Sequence, residues 1–251
     1  MIRFILTVIL VVGFLILSIP VFFIEWLIGK WNPRLRDISS LRIVQTAFKG
    51  VALFSGVKLT VIGEENVPKD QAVLYVGNHR SMFDIVLNYA RCPGLTGFVA
   101  KKELEKVPLL STWMRYLYCL FLDRDNIKEG LKTILTAIDH VKNGISIMIF
   151  PEGTRNKNER ELELLPFHEG SFKIATKGGC PIIPVAISNS SALFEDHFPK
   201  IKPVPVIIEY GAPIYPKELS REEQKFLGRH VQEQIHGMLE KNSAAIQKMQ
   251  G

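Results

Sequence analysis

The chain opens on one long apolar run and then settles into alternation. From Phe4 to Ile24 no residue is charged. A helix of that length would reach about 31 Å, roughly the depth of a bilayer core. Pro20 either kinks one spanning helix or divides the run into two shorter helices that dip into one leaflet. A cleaved signal peptide fits less well, because Glu25-Trp26-Leu27-Ile28 stands where a small-x-small cleavage site would follow. Residues 31–50 read as a connector leading into a short helix. After them, short apolar runs predict strands at 57–63, 72–77, 96–100, 117–123, 145–150, 181–188 and 205–211. Several are apolar throughout, as expected of strands covered on both faces. Helical patterns lie between them. Residues 126–144 put Ile127, Leu131, Ile134, Leu135, Ile138 and Val141 on one face and end at Gly144, and 169–179 carries a second such pattern. Ser220 and Glu223 form a capping box before a terminal helix with Leu227, Val231, Ile235, Met238 and Leu239 on one face. The prediction is an α/β fold: a largely parallel central sheet with flanking helices, preceded by a hydrophobic membrane-anchoring helix or two-helix hairpin. Residues 1–36 form the anchor with its basic flank, and 37–251 carry the α/β domain.

Charge sharpens this picture. The chain is 251 residues long, 47% hydrophobic and 22% charged, with a net charge of +6. Disorder is excluded, and a negatively charged partner is implied: nucleic acid, an anionic membrane or phosphorylated ligands. Lys30, Arg34 and Arg36 follow the apolar run while only Arg3 and the amino terminus precede it, which places the remainder on the cytoplasmic side. The basic cluster would face anionic headgroups. Cys92, Cys119 and Cys180 are odd in number and share no metal or redox spacing, so they read as free thiols in a reducing compartment.

In open α/β sheets ligands gather at the carboxyl ends of strands. Three predicted strand ends carry unusual polar residues: Asn78-His79-Arg80-Ser81-Met82-Phe83-Asp84 after 72–77, Arg124 after 117–123, and Pro151-Glu152-Gly153-Thr154-Arg155 after 145–150. Parallel strands would bring them to one rim. His79 on a loop and Asp84 in the first turn of the next helix can meet as a base and its orienter, Asp84 accepting the Nδ1 proton and leaving Nε2 free. Spacing alone equally allows His79 to be a structural loop cap. Gly153 permits a tight turn, Thr154 adds a hydroxyl, and Arg155 offers a planar fork for phosphate or carboxylate. A buried Glu152 would need a partner; it could hold Arg155 or bond a substrate hydroxyl. Arg124 either joins Arg155 at a dianionic phosphate or pairs on the surface with Asp123 or Asp125. Lys101 and Lys102 add charge to the same rim or form solvated pairs. The His-Glu-Gly at 168–170 lacks the second histidine of a zinc helix. There is no GxSxG elbow for Ser81, no P-loop, no GxGxxG, no zinc spacing and no nucleic-acid motif.

Taken together, four blocks resemble the bacterial 1-acyl-glycerol-3-phosphate acyltransferase (lysophosphatidate acyltransferase) family. They are NHRSMFD, matching its HxxxxD block; KKELEKVPLLSTWMRYLYCLFLDR; FPEGTR; and PIIPVAI, in the family's order across roughly residues 57 to 215. The resemblance implies transfer of an acyl group from acyl-CoA or acyl carrier protein to the sn-2 hydroxyl of lysophosphatidic acid, giving phosphatidic acid. His79 would be the general base and Asp84 its orienter. Arg124, Glu152, Gly153, Thr154 and Arg155 would bind the glycerol phosphate, with Asn78, Arg80 and Lys101 as further substrate-binding candidates. PIIPVAI would either shape the apolar channel or simply fill the core. No metal or cofactor is implied, and the partners are membrane lipids and the acyl donor at the cytoplasmic membrane, with no nucleic acid. The sequence departs from the family where Ser111, Tyr118 and Cys119 replace small residues, which bears on the acyl tunnel or the packing behind Arg124. Other acceptors, such as glycerol-3-phosphate or another lysophospholipid, remain open. So do a metal-dependent lipid phosphatase or esterase and a non-catalytic phosphatidic-acid-binding membrane protein.

Overall fold

The computed structural model describes residues 1–124 and 126–250. Its strands are β1 (Lys58–Ile62), β2 (Leu74–Gly77), β3 (Thr96–Lys101), β4 (Leu120–Leu122), β5 (Ser146–Ile149), β6 (Ile182–Ser188) and β7 (Pro205–Tyr210). They form one sheet in the order β1-β7-β6-β2-β5-β3-β4. β4, β3, β5, β2 and β6 are mutually parallel, and only the β6–β7 pair is antiparallel. The largely parallel sheet read from the apolar runs is therefore present. The carboxyl ends of its central strands share one rim.

Eight α-helices are described: α1 (Ile2–Trp31), α2 (Pro33–Ser55), α3 (Phe83–Tyr89), α4 (Leu110–Tyr116), α5 (Ile127–Lys142), α6 (Lys173–Gly178), α7 (Arg221–Lys225) and α8 (Leu227–Gln250). One sheet face packs Tyr75, Met148, Phe150 and Ile187 with side chains of α2, α3 and α4. The other packs Leu74, Val76, Ile147 and Ile149 with α5, α6 and α8. Alternation along β2 and β5 thus feeds two cores. The Ser220–Glu223 capping box is present but starts the short α7, and the apolar face of the terminal helix belongs to α8. On α5 only part of the expected face is covered. Ile138 and Val141 are buried, whereas Ile127, at 89% exposure, and Leu131 and Leu135 face outward.

The connector and short helix read at 31–50 are instead one helix of 23 residues. The Asn32 side chain accepts from the Leu35 N–H at 3.0 Å and Pro33 stands at the first helical position, an efficient start. Scattered polar residues disguised its inner face, where Ser40, Leu41, Val44, Gln45 and Val51 are buried. Gln45 donates to the Tyr89 and Cys92 carbonyls, tying α2 to the end of α3. The backbone runs through residue 36 without a break.

α1 is continuous through Pro20 and returns as α2. Ile2, Ile5, Ile9, Val12, Ile16, Ile19 and Phe23 stay exposed at a spacing of three to four, one face of the helix. The opposite face is built into the domain. Phe14 and Phe22 pack on the Trp113 ring, with centroids 5.6 and 4.8 Å away, and Phe4 stacks on Phe194 at 5.8 Å. Trp113 Nε1 donates to Ser18 Oγ at 2.7 Å, and that hydroxyl donates to the Phe14 carbonyl. Ser18→Ala leaves the indole N–H without its acceptor in a buried place. The expected loss is about 1–3 kcal/mol of stability, read from denaturant unfolding in detergent.

Candidate active site

The loop after β2 holds His79. Its Nδ1 lies 2.8 Å from Asp84 Oδ2. The same oxygen accepts the backbone N–H groups of Arg80 and Ser81, both at 2.8 Å. Asp84 sits in the first turn of α3 and is fully buried, so the short loop folds around its carboxylate. With Nδ1–H donating to Asp84, the tautomer that this bond selects presents its lone pair on Nε2. The ring itself lies flat on Phe150, centroids 4.2 Å apart at 14°. Ser81 is buried, and its Oγ accepts the Phe83 N–H, the role of a turn residue.

The loop after β5 supports His79 from the other side. Glu152 Oε1 accepts the His79 N–H at 2.8 Å and Oε2 accepts the Leu165 N–H at 3.0 Å. The Asn156 N–H donates to the His79 carbonyl at 2.7 Å. Burial raises the Glu152 pKa, and its two amide donors pull the other way. Each Glu152 oxygen thus accepts a backbone N–H, and the ion pair of Arg155 is made with Glu195. Gly153 turns the chain at φ +72°, where an added Cβ would sit 3.1 Å from His168 Nε2. Thr154 and Arg155 then emerge, and Arg155 Nη1 reaches Glu195 Oε1 at 3.3 Å with 43% of its side chain exposed.

Asn78 and Arg80, the two candidates flanking His79, are each tied to a neighbouring segment. Asn78 is 1% exposed, and its carboxamide donates to the Ile187 carbonyl and accepts the Ile187 N–H, stitching β2 to β6. Arg80 Nη2 donates to the Asn158 carbonyl at 2.7 Å, turning the guanidinium into the 156–163 loop. Glu161 lies beside it. Burial raises the Glu161 pKa, and Arg80 opposes that rise.

Lys101 and Arg124 are on the same rim but farther along. β5 and β3 stand between β2 and β4, which separates Arg124 from the end of β2 by about 14 Å of strand spacing. Lys101 pairs with Glu103 at 2.8 Å, and Lys102 with Asp123 at 2.8 Å. The Lys101 hydrogen bond, helped by nearby Arg124, holds the Glu103 carboxyl below its usual range. Of the surface partners considered for Arg124, Asp125 lies outside the described residues.

A family model described as Acyltransferase matches residues 58–188, just over half of the chain. The 1-acyl-sn-glycerol-3-phosphate acyltransferase of Borreliella burgdorferi is 31% identical over 188 residues, covering 74% of this chain and 73% of that protein. This chain belongs to the acyltransferase family. The enzyme of the same name from Saccharomyces cerevisiae is 34% identical over 185 residues, 73% of this chain but only 60% of the yeast protein. The crystal structure of the 1-acyl-sn-glycerophosphate (LPA) acyltransferase PlsC from Thermotoga maritima superposes with a TM-score of 0.82 at 28% identity, covering 96% of this chain and 95% of that one.

In this acyltransferase the bulky Tyr118 occupies a left-handed conformation, φ +59°, which glycine would adopt without strain. Its hydroxyl donates to Asp37 of α2, so its bulk is directed to the anchor side. Gly97 leaves room for its backbone, since a Cβ there would come within 2.2 Å of the Tyr118 carbonyl oxygen. Sequence reasoning did not reach Phe150, Asn156 or Glu195 as site residues. Phe150 had a signal, one residue before the Pro-Glu-Gly-Thr-Arg turn, whereas Glu195 stands forty residues from its partner Arg155. Glu152→Gln would set an amide N–H against a backbone N–H and loosen His79. The expected outcome is an acyl-transfer kcat lower by about 10²-fold with acceptor KM nearly unchanged, measured by steady-state kinetics.

Proposed function

We propose that this chain is a 1-acylglycerol-3-phosphate O-acyltransferase that moves a fatty acyl group from an acyl thioester to the sn-2 hydroxyl of lysophosphatidic acid, giving phosphatidic acid. The observation that carries this reading is the His79–Asp84 pair on a rim where Arg155 emerges from the adjoining loop. His79 Nε2 removes the hydroxyl proton as the oxygen attacks the thioester carbonyl. The tetrahedral intermediate collapses with cleavage of the C–S bond. The departing thiolate takes the proton back from the imidazolium, so the enzyme ends as it began. A positioned base of this kind is worth about 10²–10⁴ in rate.

Direct transfer is favoured over a covalent acyl-enzyme. Burial pushes the Cys92 and Cys180 thiols up to about 12 and Cys119 to about 11, which suppresses the thiolate. Ser81 is committed to its turn. The donor is acyl-CoA or acyl carrier protein, and the reaction needs no further cofactor. Arg155 and Thr154 take the acceptor phosphate, with Lys101 and Arg124 extending positive charge along the rim. Glycerol-3-phosphate and other lysophospholipids are the alternative acceptors.

The proposed location is the cytoplasmic membrane, with the domain on the cytoplasmic side. α1 is long and apolar enough to cross a bilayer by length and composition. Its packing favours one continuous helix lying against the membrane over a free-standing span, because one face is taken by α2 and the domain. Glu25 is turned inward to Ser39, which leaves the outer face apolar. Lipid acceptor and product would then exchange without exposing their chains to water.

The test supplies purified protein in detergent with lysophosphatidic acid and labelled acyl-CoA or acyl carrier protein. Phosphatidic acid should form, His79→Ala should abolish it with lipid binding retained, and Arg155→Ala should raise the acceptor KM about tenfold. Transfer surviving in His79→Ala would remove the base. Failure with every acceptor would leave a phosphatidic-acid-binding protein.

A further inference from the structure

We infer that Glu195 is a positioning residue that aims Arg155 at the acceptor phosphate, an inference that rests on the phosphate reading of Arg155. Glu195 opens the turn at Glu195–His197 beyond β6. Its Oε1 accepts the Met82 N–H at 2.8 Å, three residues from His79, and Arg155 Nη1 at 3.3 Å. The shorter bond is to backbone, so the carboxylate is fixed whether or not Arg155 is there. Arg155 comes to it by one nitrogen and keeps the rest of its planar fork for a ligand.

Two further observations favour a steering role. Glu195 Oε2 is buried with no hydrogen-bond partner among the described residues. A buried orphan acceptor on a charged group opposes folding, and local structure returns nothing for it. The turn is also rigidly backed. Phe194, immediately before, packs on Phe83 at the start of α3 with centroids 6.3 Å apart and on Phe4 of the anchor helix. Glu195 therefore joins Arg155 to the loop carrying His79 and to the anchor. A long exposed arginine loses less freedom on binding phosphate when one edge is already held.

The experiment measures kcat and KM for lysophosphatidic acid and for the acyl donor in Glu195→Gln, Glu195→Asp, Arg155→Ala and the Glu195→Gln/Arg155→Ala double variant. Glu195→Gln keeps an acceptor for the Met82 N–H and removes the charge; Glu195→Asp shortens the reach and guards against a folding artefact. Both should raise the acceptor KM about three- to tenfold, with kcat and donor KM within about twofold, and the double variant should be no worse than Arg155→Ala alone. An unchanged or lowered acceptor KM in both, an equal fall in kcat, or additive effects in the double variant would overturn the inference. Arg155→Ala decides the underlying reading separately. If it leaves the acceptor KM unchanged, the phosphate reading falls and this inference with it; if it raises KM while the Glu195 variants do not, only this inference falls.

Discussion

Two loops from neighbouring strands must meet for this site to exist, and one buried carboxylate holds them together. Glu152 accepts an N–H from the loop after β2 and another from its own loop at Leu165. Desolvation penalises its charge, and those two amides offset only part of the penalty. The side chains around it follow in order. Phe150, two residues earlier, supplies the floor under the imidazole. Gly153 reverses the chain, and Arg155 then projects from the mouth. Because β2 and β5 are adjacent and parallel, their ends arrive together, and the carboxylate has only a short gap to bridge.

Much of this was legible in the residues. The strands follow from short apolar runs, and the parallel arrangement follows from their alternation with helices. His79 and Asp84 meet because the helix begins between them, which the spacing allowed without requiring. The α2 helix was harder to read. Its buried face includes the polar Ser40 and Gln45, the latter bonded across the packing to α3, so a hydrophobic pattern undercounts it. Asn78 and Arg80 share the motif with His79, yet point into β6 and the 156–163 loop. Proximity in sequence says which residues ride on a loop, not which way each side chain turns. Glu195 carried no local signal, because its meaning depends on a contact made only by folding.

The rim divides its charges by depth. Near His79 the carboxylates of Asp84 and Glu152 are buried and bonded to backbone. Toward β4 they are exposed and paired with neighbouring carboxylates, as Lys101 is with Glu103 and Lys102 with Asp123. Exposed pairs of this sort contribute little to stability and exchange partners readily. The inner groups hold a geometry, while the outer ones are free to rearrange.

The packing of α1 has an evolutionary consequence. Phe4, Phe14 and Phe22 pack on Phe194 and Trp113, so the apolar leader is a wall of the core as well as an exposed apolar stripe. A tether could be deleted by descent with the enzyme left whole; a wall cannot. A lineage making this surface more polar would have to keep the helix and repaint only its outer stripe, at positions such as Ile5, Ile9 and Ile16. Such descendants would therefore be recognised by a polar leader of the same length.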